Sequence, residues 1–310
     1  MTRRAAMVDR AIDTGALYRA RSWLFVPGDR ADTLLEKAAA SEADVLILDL
    51  EDAVASGRKD EAREIVRVAL ARVRPAQPVV VRINAVTAPW WSADVEMAVD
   101  AGAAAVMLPK TAGSEDVARV TAALGDTTTR HVGAARPCAV VPIVESAAGV
   151  LHAESIAAAG GVVAVALGGE DLAADLGVVR TDAGAELQHA RGQLVLACAA
   201  ARCGVIDTPT LDPRDTDLVA AQAAMARALG FTGKLAIHPR HVPAINAAFE
   251  PRPEETRWAR SVLDAFEEAS RSGSGIAVAD GRMVDEAVVA AARRLLPRSH
   301  GAADGAGGRS

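Results

Sequence analysis

Short apolar runs that do not alternate with polar residues, each closing on a charged or polar position, recur along the chain. They read SWLFVPG from Ser22, VLILDLED up to Asp52, VVVRIN up to Asn84, and Ala104–Lys110 ending in MLPK. Further on come VVPIVES up to Ser146, VAVALGGED up to Asp171, GVIDTP from Gly204 and GKLAIHP from Gly233. Runs of Val, Ile and Leu of this kind suit strands buried on both faces of a parallel sheet. The gaps carry helical patterns with apolar residues three and four apart, as in ADTLLEKAAASE, RKDEAREIVRVALARV and ELQHARGQLVLACAAARC. Eight strand–helix units predict an α/β fold, a (β/α)8 TIM barrel over residues 21–250. In such barrels the chemistry sits at the C-terminal strand ends, where Glu51, Asp52, Arg82, Lys110, Glu145 and Asp171 would gather.

Residues 1–20 read as an N-terminal arm, and residues 251–298 as a small C-terminal helical extension opened by Pro251 and Pro253. The extension should hold the helix TRWARSVLDAFEEASRSG, stopped at Gly273 and Gly275, then a strand-like GIAVADGRMV turning at Asp280-Gly281. A last helix runs from about Asp285 to Leu296. So small a segment cannot hold a core alone and must pack on the barrel or on a neighbouring subunit. The Gly/Ala-rich residues 299–310 read as a disordered tail.

Composition narrows the field. The 310 residues are 51% hydrophobic but only 3% aromatic, so the core must be Ala, Val, Leu and Ile. A net charge of −6 argues against nucleic acid, and no run is long enough to span a membrane. MTRR is basic, but no apolar core comes after it and Asp9 and Asp13 interrupt the segment, which does not suit a signal sequence. Cys138, Cys198 and Cys203 lack CxxC spacing and read as buried free thiols of a reducing, cytoplasmic compartment.

Glu145 and Asp171 end adjacent strands and make a candidate Mg2+ site, since that ion takes one or two carboxylates and fills its shell with water and substrate. Capping of the helices after them is the competing reading. Alternation places Asp49 and Glu51 on one face of strand two and Asp52 on the other. Glu51 and Asp52 would orient metal-bound waters or pair with Lys59 or Arg63. Arg82 is a guanidinium inside an apolar strand, which is costly unless it meets an anion. It would grip a carboxylate or oxyanion, or else pair structurally with Glu51. Lys110 raises a Schiff-base alternative, although nearby carboxylates would keep it charged. His238 and His241 read as rim contacts, and Gly168-Gly169 would let backbone approach a ligand closely.

These motifs, in this order, resemble the citrate lyase β-subunit-like CoA-ester lyases of the HpcH/HpaI aldolase superfamily, from RSWLFVPGDR at Arg21 through AINAAFEPRPEE to DGRMVD. The resemblance implies that Glu145 and Asp171 ligate Mg2+, with Mn2+ able to substitute, and that Arg82 grips a 2-oxo acid. It implies supporting acids at Glu51 and Asp52, a CoA and substrate pocket lined by Phe25, Arg30 and Lys37, and a substrate-side place for Glu170. Asp285 resembles an acid delivered from the adjacent subunit of a trimer or hexamer. The chain departs from the common pattern at Gly192, after His189-Ala190-Arg191, and at His241, after IHP. The implied reaction is reversible Claisen cleavage of malyl-CoA or citramalyl-CoA to acetyl-CoA and glyoxylate or pyruvate. A malyl-CoA thioesterase, a citryl lyase β subunit and a non-catalytic barrel scaffold are the competing readings.

Overall fold

A computed structural model describes residues 14–130, 138–272 and 276–296. The described residues fall into two units, divided between Phe249 and Glu250. The first is a closed, all-parallel barrel of eight strands. Its strands are β1 (Ser22–Pro27), β2 (Val45–Asp49), β3 (Val79–Arg82), β4 (Ala105–Leu108), β5 (Ala139–Val144), β6 (Ala164–Leu167), β7 (Gly204–Asp207) and β8 (Gly233–Ala236). A short helix α1 (Thr14–Arg19) precedes β1; α2 (Ala31–Ala39), α3 (Lys59–Val73), α4 (Trp91–Asp100) and α5 (Ser114–Arg130) come after the first four strands. Then come α6 (Ala147–Leu151) and α7 (Ala153–Ala157) after β5, α8 (Gly169–Asp175) and α9 (Gln188–Ala201) after β6, α10 (Thr216–Leu229) and α11 (His241–Phe249). The barrel closes where Ser22, Trp23 and Leu24 pair with Lys234, Leu235 and Ala236.

Two apolar layers explain why the strands do not alternate in sequence. Trp23, Ile47, Val80, Met107, Val141, Ile143, Ala166, Ile206 and Leu235 fill the barrel, with Leu17 and Ala20 among them. Their sequence neighbours, such as Leu24, Leu46, Leu48, Val81, Val144, Leu167 and Val205, pack outward against the helices. Strand parity then aims the last inward residues, Asp49 after Ile47, Arg82 after Val80 and Glu145 after Ile143, toward the mouth. Local signals set the helix ends: Asp215 Oδ1 accepts the Leu218 amide at the start of α10, and Gly230, at φ 107°, ends it.

The structure corrects three expectations of chain course. The sixth strand stops at Leu167, so Asp171 stands not on a strand end but in the first turn of α8. Gly168 and Gly169 let the chain turn straight into that helix. Strand two ends at Asp49, so alternation no longer governs the residues beyond it, and Asp52 is not turned away from Glu51. His241 is not a rim contact but a fully buried residue opening α11.

The second unit contains α12 (Pro253–Ser272), a two-stranded antiparallel hairpin of β9 (Ala277–Ala279) and β10 (Arg282–Val284), and α13 (Glu286–Leu295). Asp280 and Gly281 turn the hairpin at φ 50° and 74°, the two positive values a type I′ turn requires. Ala259, Val262, Ala277, Ala279, Val284, Val289 and Ala292 form its own small core, which corrects the expectation that so small a segment holds none alone. The glycines expected to stop α12, the tail 299–310 and most of the arm 1–20 lie outside the described residues. No helix among the described residues is long and apolar enough to cross a membrane.

Candidate active site

Neighbouring strands bring Asp49 and Arg82 side by side, paired in the β2–β3 register. Asp49 grips the guanidinium through two hydrogen bonds, Nε to Oδ1 and Nη2 to Oδ2, each 2.7 Å. The same carboxylate accepts the amides of Glu51 (2.8 Å) and Ala53 (3.1 Å), so it also shapes the turn leaving β2. That turn carries Glu51 Oε2 to 3.3 Å and Asp52 Oδ2 to 3.6 Å from Arg82 Nη1. Asp49, not Glu51, is therefore the principal partner of Arg82. Burial opposes the charge of Arg82, but Asp49, Glu51 and Asp52 more than offset it, so the pKa is raised and the cation is permanent. Phe25 lies 4.8 Å from the guanidinium carbon and backs it by a cation–π contact.

Lys110 closes the group from the β4 side. Its Nζ is 2.9 Å from Glu51 Oε1, and its amide donates to Glu145 Oε1 at 2.6 Å. A left-handed backbone at Lys110, φ 54°, turns amide and side chain toward these two different acids. The hydrogen bond to Glu51 raises the Lys110 pKa, which holds the amine protonated, the state that does not suit a Schiff-base nucleophile. Lys59 does not pair with the Glu51 carboxylate. Its buried ammonium donates to the carbonyls of Leu50 (2.8 Å) and Glu51 (2.7 Å), pinning the end of β2, while Arg63 goes to Asp60 and Asp94.

Glu145 is 6% exposed, with Gly168 pressed against it. Burial pushes its carboxyl up to about 8; the Lys110 amide works against that, and the negative charges of Asp171 and Glu51 add to it. Ser146, rather than Glu145, caps α6, its Oγ accepting the Gly149 amide at 3.1 Å. Asp171 is exposed, near enough to repel Glu145 and to attract Lys110. Glu145 is thus a buried acid with a second acid close by, a pair of hard oxygen donors. Two carboxylates suit Mg2+, which takes one or two and keeps much of its water. Among the described residues no three or more His, Cys, Asp or Glu gather as a metal cage.

The remaining expected residues are dispersed. Glu170 binds Arg180 at 2.9 Å, and Arg180 also binds Glu186 at 2.6 Å. Arg30 and Lys37 are exposed on the β1–α2 side, with the charge of Lys37 reaching His238. Asp285, in the second unit, caps α13 by accepting the Val288 amide at 2.8 Å. A cavity of about 380 Å3 opens beside the acids, lined by Glu51, Asp52, Lys59, Asn84, Trp90 and Lys110 among others. A fully buried triad, Arg191–Asp207–Lys234, lies between the barrel wall and α9. Its sequence signal was the one that singled out Arg82, a charge within an apolar strand, here in GKLA and GVID.

A fixed arginine, a buried acid and a second acid close to it gather at the mouth of a (β/α)8 barrel. The chain belongs to the HpcH/HpaI aldolase/citrate lyase family, whose model matches residues 21–239. It is 33% identical over 280 residues to a (3S)-malyl-CoA thioesterase of Cereibacter sphaeroides, covering 90% of this chain and 94% of the relative. It is 36% identical over 298 residues to an L-malyl-CoA/beta-methylmalyl-CoA lyase of the same species, covering 89% and 93%. Among solved structures it resembles CitE from Mycobacterium tuberculosis in complex with magnesium, acetoacetate and coenzyme A. There the TM-score is 0.71 at 34% identity, over 89% of this chain and 97% of that one. Family and relatives make the protein an enzyme of the CoA-ester lyase type.

Proposed function

We propose that the protein is a Mg2+-dependent carbon–carbon lyase that splits a 3-hydroxyacyl-CoA, malyl-CoA or citramalyl-CoA, into acetyl-CoA and glyoxylate or pyruvate. The observation that carries the reading is the buried carboxyl of Glu145 with Asp171 close by, near an arginine already fixed by Asp49. Glu145 and Asp171 are the residues to hold the metal. When bound, Mg2+ supplies Lewis-acid stabilisation of negative charge on the oxygens of the acid half.

The chain's own groups do the rest. Asp49 and Phe25 hold the guanidinium plane of Arg82, so a substrate carboxylate meets a preset donor rather than a swinging side chain. Glu51, buried and tied to Lys110, and Asp52 orient water and substrate at the same edge. In the cleavage direction the 3-hydroxyl gives its proton to a water held by Glu51 and Asp52 as the bond from its carbon to the acyl α-carbon breaks. The electron pair passes to the α-carbon, and the C–O bond becomes the carbonyl of the oxo acid. Asp285 supplies the proton that the α-carbon takes, a general-acid role usually worth roughly 10²–10⁴-fold. Asp285 lies in the small second unit, and delivery from a neighbouring subunit would make the active enzyme a homo-oligomer, a trimer or hexamer. Phe25, Arg30 and Lys37 line the side from which CoA enters, and Glu170, through Arg180, steadies the helix of Asp171.

Malyl-CoA hydrolysis is the second reading, favoured by the thioesterase relative. One assay separates them. Purified enzyme with Mg2+ is given acetyl-CoA with glyoxylate, pyruvate or oxaloacetate in turn, and then malyl-CoA alone, with free CoA and acetyl-CoA both measured. Condensation with one oxo acid, lost in EDTA and in Glu145→Ala or Asp171→Ala, is expected. Full activity in EDTA would overturn the metal assignment, and CoA release without acetyl-CoA would establish the thioesterase.

A further inference from the structure

The Arg191–Asp207–Lys234 triad lies beside the apolar layer between barrel and helices, and all three side chains are shut off from solvent. Arg191 Nε meets Asp207 Oδ1 at 2.9 Å and Lys234 Nζ meets Asp207 Oδ2 at 3.0 Å, two cations on one anion. Such an arrangement is a poor route to stability, since apolar side chains of similar volume often serve as well or better. What it does is hold backbone. Lys234 Nζ also donates to the Thr208 carbonyl at 2.5 Å, and Arg191 Nη1 donates to the Gly184 carbonyl at 3.1 Å.

Thr208 is the next link. It is fully buried, and its Oγ1 accepts the Gly169 amide at 3.0 Å. Gly169 opens α8, two residues before Asp171, and Gly168 before it presses on Glu145. A Cβ on Gly169 would fall 2.8 Å from Thr208 Oγ1, so the contact is tight packing as well as a hydrogen bond. At its far end α8 is tied by Asp175, whose Oδ2 accepts the Ala147 amide at 2.7 Å, next but one to Glu145. The first turn of α8 is thus fixed between the Glu145 segment and Thr208.

We infer that Thr208, anchored by the buried Lys234–Asp207–Arg191 triad, is a positioning residue for the metal site, setting the stance of Asp171 toward Glu145. The inference rests on the proposed Glu145–Asp171 metal site. It adds that a hydroxyl just past the end of β7 sets the affinity of that site through the backbone of Gly169.

The test is calorimetric titration of the full chain with Mn2+ alone, together with thermal unfolding of each variant. Thr208→Val keeps the shape and removes the acceptor, and should weaken Mn2+ binding roughly 10-fold or more, the usual loss when a ligand's support is removed. Thr208→Ser keeps the acceptor and should restore wild-type affinity. Thr232→Val is the control, because Thr232 Oγ1 exchanges two 3.0 Å hydrogen bonds with Val205 at the opposite end of the same strands. It should unfold at lower temperature yet bind Mn2+ as wild type does. Should Thr208→Val fail to fold, Thr208→Ala is read against Thr208→Ser in the same way. If wild type binds no Mn2+, or Asp171→Asn binds it unchanged, the metal site itself is wrong and the inference falls with it. If Asp171→Asn abolishes binding while Thr208→Val titrates like wild type, or Thr232→Val weakens binding equally, the positioning role alone is overturned.

Discussion

Gly168→Ala is the sharpest single test of how the mouth is built. The backbone there, φ −95° and ψ 91°, is open to any residue, so the substitution brings no conformational strain. Its whole effect is steric. A Cβ at position 168 would lie 2.3 Å from Glu145 Oε2 and 2.5 Å from Glu145 Cβ, where carbon contacts relax at about 3.5–4.0 Å. Glu145 must therefore retreat by about 1 Å, away from the Lys110 amide it now meets at 2.6 Å or out of the plane facing Asp171. Overpacking of this size costs about 1–3 kcal/mol of stability, which a barrel of this size survives. A displacement of about 1 Å in a group that positions the reacting atoms costs on the order of 10²-fold in rate, equivalent to about 2.7 kcal/mol of barrier. The assay is steady-state cleavage of the CoA ester with saturating Mg2+, beside circular dichroism to verify the fold. kcat/KM should fall roughly 10²-fold with secondary structure retained. A folded Gly168→Ala enzyme with wild-type kcat/KM would refute the placement of Glu145 in the chemistry.

Two further predictions concern charge and assembly. Because the Glu145 carboxyl is raised to about 8, the metal-free native state holds a proton there that the unfolded chain gives up near its ordinary 4.5. That contribution is therefore whole below about pH 4.5 and is lost as pH rises toward about 8. In EDTA, wild type should lose thermal stability over that window relative to Glu145→Gln, and parallel curves for the two would contradict it. If Asp285 reaches a neighbour's mouth, mixing inactive Asp285→Ala subunits with inactive Asp171→Ala subunits should restore part of the activity. A mixture that stays inactive while its subunits exchange would confine Asp285 to its own chain or to capping α13.

The barrel was legible in the chain because burial on both faces leaves a mark that needs no knowledge of neighbours: unbroken Val, Ile and Leu with a polar residue where each strand leaves the core. The same logic exposed Arg82, since a guanidinium between Val81 and Ile83 must have an anion waiting. Which anion was another matter. Register sets Asp49 directly across from Arg82, and register depends on how strands slide past one another when the barrel closes. Asp52 joined the cluster because β2 ends before it, releasing it from the alternation that had turned it away. Asp171 moved from strand end to helix because Gly168 could sit against Glu145, a contact between residues 23 apart in sequence that no local pattern records. Lys234 and Asp207 show in sequence as charges in apolar strands, but neither segment names a partner, and Arg191 is an ordinary helical residue. Only packing places one carboxylate between two cations, since the low dielectric that makes an isolated buried charge prohibitive is what binds these three together.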